Sequence, residues 1–221
     1  QEGLVAHNAL RQLAILAARE GIDVFRFDYY GTGDSDGADD AFTLAQAQQD
    51  VLAAAREVGD LTGARRLVLV GMRLGGVLAI RAAARLPGGT GVVLWDPIVS
   101  GEACLAEMAA NRARLSPLRD GEAILPGSST FGYDGFPITP ELFAEFAAVD
   151  LLAEVGAVSL PVCLVHSDDP ACALLAGRLP TERVGRADSR RLWTESPGAD
   201  SPPPSTDAIR QIIGWCRTEL G

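Results

Sequence analysis

The chain has 221 residues, 48% of them hydrophobic, which suits one α/β domain with a full core rather than two domains. Its formal net charge of -10 at pH 7 argues against a nucleic-acid or anionic-membrane partner, because phosphate binding needs clustered Lys and Arg. No apolar run approaches the roughly 20 residues of a membrane-spanning helix, and four scattered cysteines with two histidines give little support for a zinc site.

The first part of the chain alternates helical and strand patterns. Residues 8–20 carry apolar side chains at helical spacing and predict an amphipathic helix. Residues 22–27 predict a strand that runs into a loop rich in turn formers at 28–37. A second helix is predicted over residues 43–58, with Thr43 as its N-cap.

Two more strands follow with a helix between them. Residues 65–70 and 91–95 are short apolar runs, and residues 75–86 predict the intervening helix. Three apolar strands separated by helices predict a mainly parallel sheet with helices on both faces.

The stretch from about residue 100 to 150 departs from this alternation. A helix is predicted over residues 102–114, whereas residues 115–136 have no period. Thr139 and a proline at the first helical position then predict a helix that continues toward residue 151. Because a long structureless loop in a compact domain is usually functional or mobile, we expect a cap or lid here, inserted into a single domain spanning 1–221.

The last third returns to the alternation of strands and helices. Residues 162–165 predict a fourth strand, which leads into the polar turn 166–170. A short helix from about residue 171, a weaker strand at 190–194 and a final helix at about 206–219 complete the chain.

One strand, glycine turn and helix has the pattern of a nucleophile elbow. In G-x-S-x-G the glycines allow a sharp turn that presents the central side chain above the sheet. The central residue here is Arg73, between Gly71 and Gly75. A guanidinium cannot be deprotonated in a protein and cannot attack a carbonyl, so the scaffold of an elbow is present without its chemistry.

Four blocks of the sequence resemble the α/β-hydrolase superfamily, and more narrowly the serine-aminopeptidase-like group that includes exosortase-system-associated hydrolases. They are residues 27–35, 71–75, 94–101 and 165–169. The resemblance implies an α/β-hydrolase fold with an eight-stranded sheet, of which this chain carries the fourth to eighth strands, and a cap after the sixth strand. The family's third strand lies between its fourth and fifth, so we expect the natural protein to have an upstream segment.

The resemblance also implies a Ser, Asp, His triad in chain order, which this sequence does not supply. The nucleophile position holds Arg73, and the acid position holds Asp169, with Asp168 as the near alternative. The histidine position falls near Glu195, and no histidine follows His166. Related exosortase-system hydrolases also carry G-x-R-x-G. Ser–His–Asp hydrolysis through an acyl-enzyme is therefore excluded.

Arg73 has two interpretations. A partly buried guanidinium must be paired, and Asp169, Glu195 and Asp96 are its predicted partners, in a network that holds loops over an inactive site. Alternatively, the guanidinium fork binds a substrate carboxylate, phosphate or enolate while another residue moves protons.

His7 is the predicted proton-transfer residue, with Glu2 to orient it or to act as a carboxylate base. Tyr30 is predicted to donate a hydrogen bond to a substrate oxyanion. The alternatives are an exposed or capping histidine, a solvated glutamate and a packing tyrosine. Cys172 and Ser100 are candidates for a displaced nucleophile, but neither has a base beside it in the sequence.

Three functions remain open from the sequence. The first is a noncanonical enzyme acting on an acyl or carbonyl substrate, carrier-bound or cyclising, in a biosynthetic pathway. The second is an inactive pseudo-hydrolase that binds a ligand or partner, and the third is an ordinary serine esterase or thioesterase through Ser100 or Ser167. We expect a cytoplasmic protein with no cofactor and no metal; the oligomeric state is open, a homodimer included.

Overall fold

The computed structural model describes residues 2–86, 88, 90–115, 131–133, 136–167, 169–179, 184–186 and 206–221. Its helices are α1 (Glu2–Arg19), α2 (Leu44–Thr62), α3 (Leu74–Ala83), α4 (Gly101–Leu115), α5 (Pro140–Ala147), α6 (Leu151–Gly156), α7 (Pro170–Ala176) and α8 (Thr206–Leu220). Its strands are β1 (Val68–Met72), β2 (Gly91–Trp95), β3 (Phe131–Tyr133), β4 (Phe136–Ile138), β5 (Val162–His166) and β6 (Val184–Arg186).

A parallel sheet forms the centre of the fold. It has four strands in the order β1, β2, β5, β6, and each neighbouring pair is parallel. Every residue of β2 and β5 is buried, as expected for strands covered by helices on both faces. The predicted parallel α/β sheet is confirmed, and its carboxyl edge brings together the residues that follow β1, β2 and β5.

Alternate residues of β2 enter two separate cores. Val92 and Leu94 pack with α2, α3, α6 and α7, whereas Val93 and Trp95 pack with α1 and α8. This division follows from the two-residue period of a strand, which sends successive side chains to opposite faces of the sheet. The helices that cover the sheet include α1, α2 and α8, which do so with the apolar faces predicted from the sequence.

Side-chain caps set the starts of several helices. Thr43 Oγ1 accepts a hydrogen bond from Gln46 N at 3.1 Å, and Thr139 Oγ1 accepts one from Leu142 N at 3.1 Å, so both predicted N-caps are confirmed. The predicted helix from Thr139 toward residue 151 is wrong in its length. α5 ends at Ala147, and Asp150 caps the separate helix α6.

The break between α5 and α6 has a physical cause. The residues on either side of Asp150 form backbone hydrogen bonds with the residues on either side of Ser100, just before α4. Gly101 N donates to Val149 O at 3.0 Å and Leu151 N donates to Val99 O at 2.9 Å. The excursion between these contacts contains α4, an antiparallel hairpin of β3 and β4, and α5. Part of the stretch predicted to be irregular is therefore a hairpin, while residues 116–130 lie outside the described residues.

Residues 22–27 do not form the predicted strand. No strand in the described part of the chain pairs with them, and Val24 and Phe25 are 45% and 47% exposed. The cause is the lack of a neighbour on the side facing β1, where the structure has a cavity instead. The strand predicted at 190–194 lies outside the described residues, and the sheet ends at β6.

Candidate active site at the carboxyl edge of the sheet

A sharp turn joins β1 to α3 and contains Arg73, whose backbone has φ 51° and ψ -119°. Gly71 makes this turn possible, because a Cβ added there would lie 2.2 Å from the carbonyl oxygen of Gly75. A Cβ at Gly75 would meet nothing within 4 Å. The strand, turn and helix predicted from the glycine pattern are thus present, and the first glycine is the one that sterics require.

Arg73 is linked to a second strained residue, Asp96, at the end of β2. Asp96 has φ 42°, and these are the two non-glycine residues with positive φ among those described. Arg73 N donates to Trp95 O at 3.1 Å, and its Nη1 lies 3.4 Å from Asp96 O. Strained backbone clusters at functional sites, so this edge of the sheet is the candidate active site.

The carboxylate of Asp96 joins the ends of β2 and β5. Asp96 is 3% exposed, and its Oδ1 accepts hydrogen bonds from Ser167 N at 2.7 Å and Ser167 Oγ at 3.0 Å. A buried carboxylate needs such donors. Asp96 is therefore part of the site, and Ser167 is the neighbour that the sequence identified only as a remote nucleophile candidate.

Asp169 has a structural contact that the sequence interpretation missed. Its Oδ1 accepts a hydrogen bond from Ala171 N at 2.8 Å and caps α7. Within the described part of the chain this carboxylate makes no ion pair with Arg73, so the predicted pairing is not formed there. Asp168 and Glu195, the other carboxylates proposed from the sequence, lie outside the described residues.

Cys172 lies beside these charges and is 1% exposed. Burial first, and then the negative charges of Asp169 and Asp96, raise the pKa of its thiol to about 12, while the positive charge of Arg73 acts in the opposite direction. The three charged residues therefore surround one thiol. Because a thiolate is the nucleophilic form, Cys172 is not activated as a displaced nucleophile.

Ser100 is likewise used by the fold. Its Oγ accepts a hydrogen bond from Ala103 N at 3.3 Å at the start of α4. The backbone of Ser100 forms an antiparallel β-bridge with Asp150, which closes the excursion after β2. Nothing in these contacts supplies Ser100 with a base.

His7 and Tyr30 make contacts away from Arg73. His7 is exposed, and its Nδ1 accepts a hydrogen bond from Nη2 of Arg26 at 3.3 Å, since an arginine can only donate. Tyr30 is 44% exposed, and its N–H donates to Asp50 at 2.9 Å. The backbone of Glu2 lies in α1, but its side chain lies outside the described residues. The structure thus groups Arg73 with the aspartates and not with His7.

His166, the last residue of β5, is a buried histidine beside this site. It is 4% exposed, with Nδ1 2.5 Å from Ser167 O. Its Nε2 is buried and has no hydrogen-bond partner in the described part of the chain. The only sequence signal for a role at this position is its place at the end of an apolar strand.

No group of three His, Cys, Asp or Glu side chains among the described residues is arranged to hold a metal ion. None of the helices in the same set is both long and apolar enough to cross a membrane.

The sequence matches a family model described as the alpha/beta hydrolase family over residues 6–216. The fold is similar to that of an esterase from Pyrococcus furiosus, with a TM-score of 0.67 and 15% identity over 98% of this chain and 78% of the esterase. It is similar to DcsB, solved in complex with its substrate analogue, with a TM-score of 0.64 and 20% identity over 96% of this chain and 85% of DcsB. It is also similar to alpha/beta hydrolase domain-containing protein 10 from mouse, with a TM-score of 0.55 and 21% identity over 94% and 81% of the two chains. Among curated proteins, none matches the sequence significantly.

Proposed function

The chain belongs to the alpha/beta hydrolase family, and from this premise we propose that it is a noncanonical enzyme of that fold. It acts on an acyl or carbonyl substrate by acid–base and electrostatic catalysis, and no covalent acyl-serine intermediate forms. Arg73 replaces the nucleophile and binds the substrate oxygen on which negative charge develops.

The observation that carries this proposal is the strained backbone of Arg73. A non-glycine residue at φ 51° and ψ -119° costs about 1–3 kcal/mol, and such strain persists where surrounding structure holds it in place. The turn lies at the carboxyl edge of the sheet, where open α/β folds bind ligands. It also directly precedes the N-terminus of α3, whose dipole adds positive potential. A guanidinium in this position is suited to a carboxylate, an enolate or a tetrahedral oxyanion.

Proton transfer is assigned to His7 and Glu2, as predicted from the sequence. Since Nδ1 of His7 accepts from Arg26, the ring hydrogen of the neutral imidazole lies on Nε2, the atom proposed to exchange a proton with the substrate. Cys172 is excluded from this role, because its pKa of about 12 keeps the thiol protonated at neutral pH. Tyr30, Asp96 and Glu195 are proposed to border the bound substrate.

The proposed substrate class is based on the resemblance to exosortase-system hydrolases. A carrier-bound or cyclising acyl intermediate of a biosynthetic pathway is consistent with a site that has an anion-binding group and no nucleophile. The same resemblance leads us to propose that the protein works in the cytoplasm.

The second candidate is a pseudo-hydrolase that binds an anionic ligand or partner without turnover. The observation in its favour is that His7 contacts Arg26 and not Arg73. In that case Arg73 holds the ligand, and no group beside it moves a proton.

The experiment compares Arg73→Ala with Arg85→Ala, which changes an exposed arginine in the turn that follows α3. Both are assayed against a panel of acyl thioesters and nitrophenyl esters. We expect Arg73→Ala to lower kcat by about 100-fold or more, the effect typical of losing an oxyanion donor, and Arg85→Ala to leave it unchanged. Equal activity of the two variants would contradict the enzyme proposal.

A fluorophosphonate probe tests the third function, an ordinary serine esterase or thioesterase. Stoichiometric labelling of the protein would mean an activated serine, with Ser167 the first residue to map, and both candidates above would be wrong. Binding of short-chain carboxylates to the natural protein, lost in Arg73→Ala, together with no turnover of any panel member, would instead support the pseudo-hydrolase.

A further inference from the structure

The carboxyl ends of three neighbouring strands are joined by backbone hydrogen bonds on both sides of Asp96. Its N–H donates to Val165 O of β5 at 2.9 Å. Trp95 O, at the end of β2, accepts from Arg73 N at 3.1 Å, and Ile98 N donates to Arg73 O at 3.3 Å. Asp96 therefore lies between the turn that holds Arg73 and the end of β5.

The backbone of Asp96 adopts a conformation that the next residue disfavours. Its φ is 42°, whereas a residue before a proline, here Pro97, prefers extended backbone with φ of about -120°. A non-glycine residue keeps a positive φ only where the surrounding structure holds it. The contacts of Asp96 therefore decide whether this conformation persists.

Ser167 supplies two of these contacts. Its N–H donates to Asp96 Oδ1 at 2.7 Å, and its hydroxyl donates to the same oxygen at 3.0 Å. Because Asp96 is only 3% exposed, water has little access to replace either donor. Any residue except proline would supply the backbone donor at this position, whereas the second donor requires the hydroxyl. The hydroxyl is thus the part of this anchor that depends on the side chain.

The carbonyl group of Asp96 contacts Arg73. Nη1 of Arg73 donates to Asp96 O at 3.4 Å. The position of a carbonyl oxygen depends on the backbone dihedral angles of its own residue, so a change of Asp96 toward extended backbone would move this acceptor away from the guanidinium. The anchor of the carboxylate and the acceptor for the guanidinium are consequently coupled through one strained residue.

We propose that Ser167 is a positioning residue for Arg73. Its hydroxyl fixes the carboxylate of Asp96, the fixed side chain maintains the positive φ of Asp96, and the Asp96 carbonyl then orients the guanidinium toward the substrate oxygen. This inference rests on the proposed function, in which Arg73 binds that oxygen. Ser167 keeps its hydroxyl proton throughout and acts only through Asp96, unlike the nucleophile of a serine esterase.

The first test compares Ser167→Ala, which removes the hydroxyl, with Ser167→Thr, which retains it. NMR relaxation of the Arg73 Nε–H signal, assigned as the signal that Arg73→Ala lacks, measures the order of the side chain. We expect the order parameter to fall below about 0.6, the range of flexible groups, in Ser167→Ala and to keep its natural value in Ser167→Thr. The matched control is Ser35→Ala, which removes a hydroxyl that donates to Asp28 O at 2.6 Å and should leave the Arg73 signal unchanged.

An Arg73 side chain that stays ordered in Ser167→Ala would overturn the proposal. A side chain that is already mobile in the natural protein, or that becomes mobile in Ser167→Thr as well, would also overturn it. Should the alanine variant fail to fold, Ser167→Cys takes its place in the comparison, because a thiol is only a weak donor.

Steady-state kinetics on the panel of esters and thioesters test the same coupling during the reaction. We expect Ser167→Ala to lower kcat about tenfold with KM nearly unchanged, because the guanidinium acts on charge that develops in the transition state. In the Arg73→Ala background the same substitution should have no further effect, since its action passes through Arg73.

Independent losses from the two substitutions would refute the positioning role, and fluorophosphonate labelling of Ser167 would mean that this residue is a nucleophile instead. If the natural protein turns over no member of the panel, the enzyme proposal alone fails. The order of the Arg73 side chain in Ser167→Ala and Ser167→Thr then still decides the role of Ser167.

Discussion

Replacing Arg73 by glycine and, in a second variant, by alanine isolates the backbone strain of the turn after β1. Both variants remove the guanidinium and its contact with Asp96 O, so the difference between them depends on the backbone at φ 51°. Alanine retains the strain of about 1–3 kcal/mol. Glycine relieves it but loses about 0.5–1 kcal/mol through the greater freedom of its unfolded chain. The difference spans about 0–2.5 kcal/mol, and we expect Arg73→Gly to be more stable than Arg73→Ala by about 1 kcal/mol, near the middle of that range.

Urea denaturation of the two variants measures this difference as a shift in midpoint at a constant m value. The control is Ala53→Gly, at an exposed position inside α2, where glycine is expected to lower the free energy of unfolding by about 1 kcal/mol. The sign at residue 73 should therefore be opposite to the sign at residue 53. Equal stability of Arg73→Gly and Arg73→Ala, or a more stable alanine variant, would refute the inference that strain is held in this turn.

The contact of Glu145 with α2, the glycine turn after β1 and the buried thiol of Cys172 each give a prediction. Glu145→Gln should lower the free energy of unfolding by about 1–2 kcal/mol in urea, because the Glu145 carboxylate accepts from two N–H groups at the start of α2, at 2.6 and 3.1 Å; an unchanged midpoint would contradict this. Gly71→Ala should abolish cooperative folding, since its Cβ would lie 2.2 Å from a carbonyl oxygen, whereas Gly75→Ala should fold normally; circular dichroism melts that show the same behaviour for both would refute the steric argument. Iodoacetamide at pH 9 should leave Cys172 unmodified in the folded protein, because its pKa in the fold is about 12. This pKa lies above the ordinary value of a thiol in the unfolded chain, so stability should fall as pH rises from about 9 toward 12. Rapid alkylation of the native thiol would contradict this reasoning.

The strands that the sequence predicts best are those that need no information from distant residues. Continuous apolar runs predicted β2 and β5, which are buried on both faces. Residues 22–27 have the alternation of a strand, and the ring centroids of Phe25 and Phe27 lie 6.3 Å apart on one side of it. These residues nevertheless form no strand in the described part of the chain. A strand exists only when a neighbour supplies its hydrogen bonds, and that neighbour is not encoded in the local pattern.

The candidate site shows a comparable limit for side-chain partners. Asp169 was predicted to pair with Arg73, but it caps α7, and the signal was readable because Asp169 precedes a proline as Thr139 does. The contact between Glu145 and the start of α2 had no such signal, since 100 or more residues separate the partners. Local caps are predictable from spacing, whereas ionic contacts between remote elements depend on the assembled fold.

The pairing of Gly101 with Val149 and of Leu151 with Val99 makes the chain leave the sheet and return to it at one place. The chain between these two contacts is a closed loop, and lengthening a closed loop costs only about 0.6 kcal/mol for each doubling of its length. The excursion can therefore be treated as a module that varies independently of the sheet. Evolution can therefore exchange or enlarge this module without changing the register of the sheet or the turn that holds Arg73. The fold thus separates the excursion, whose length and sequence can vary, from the turn that holds the charged group in place.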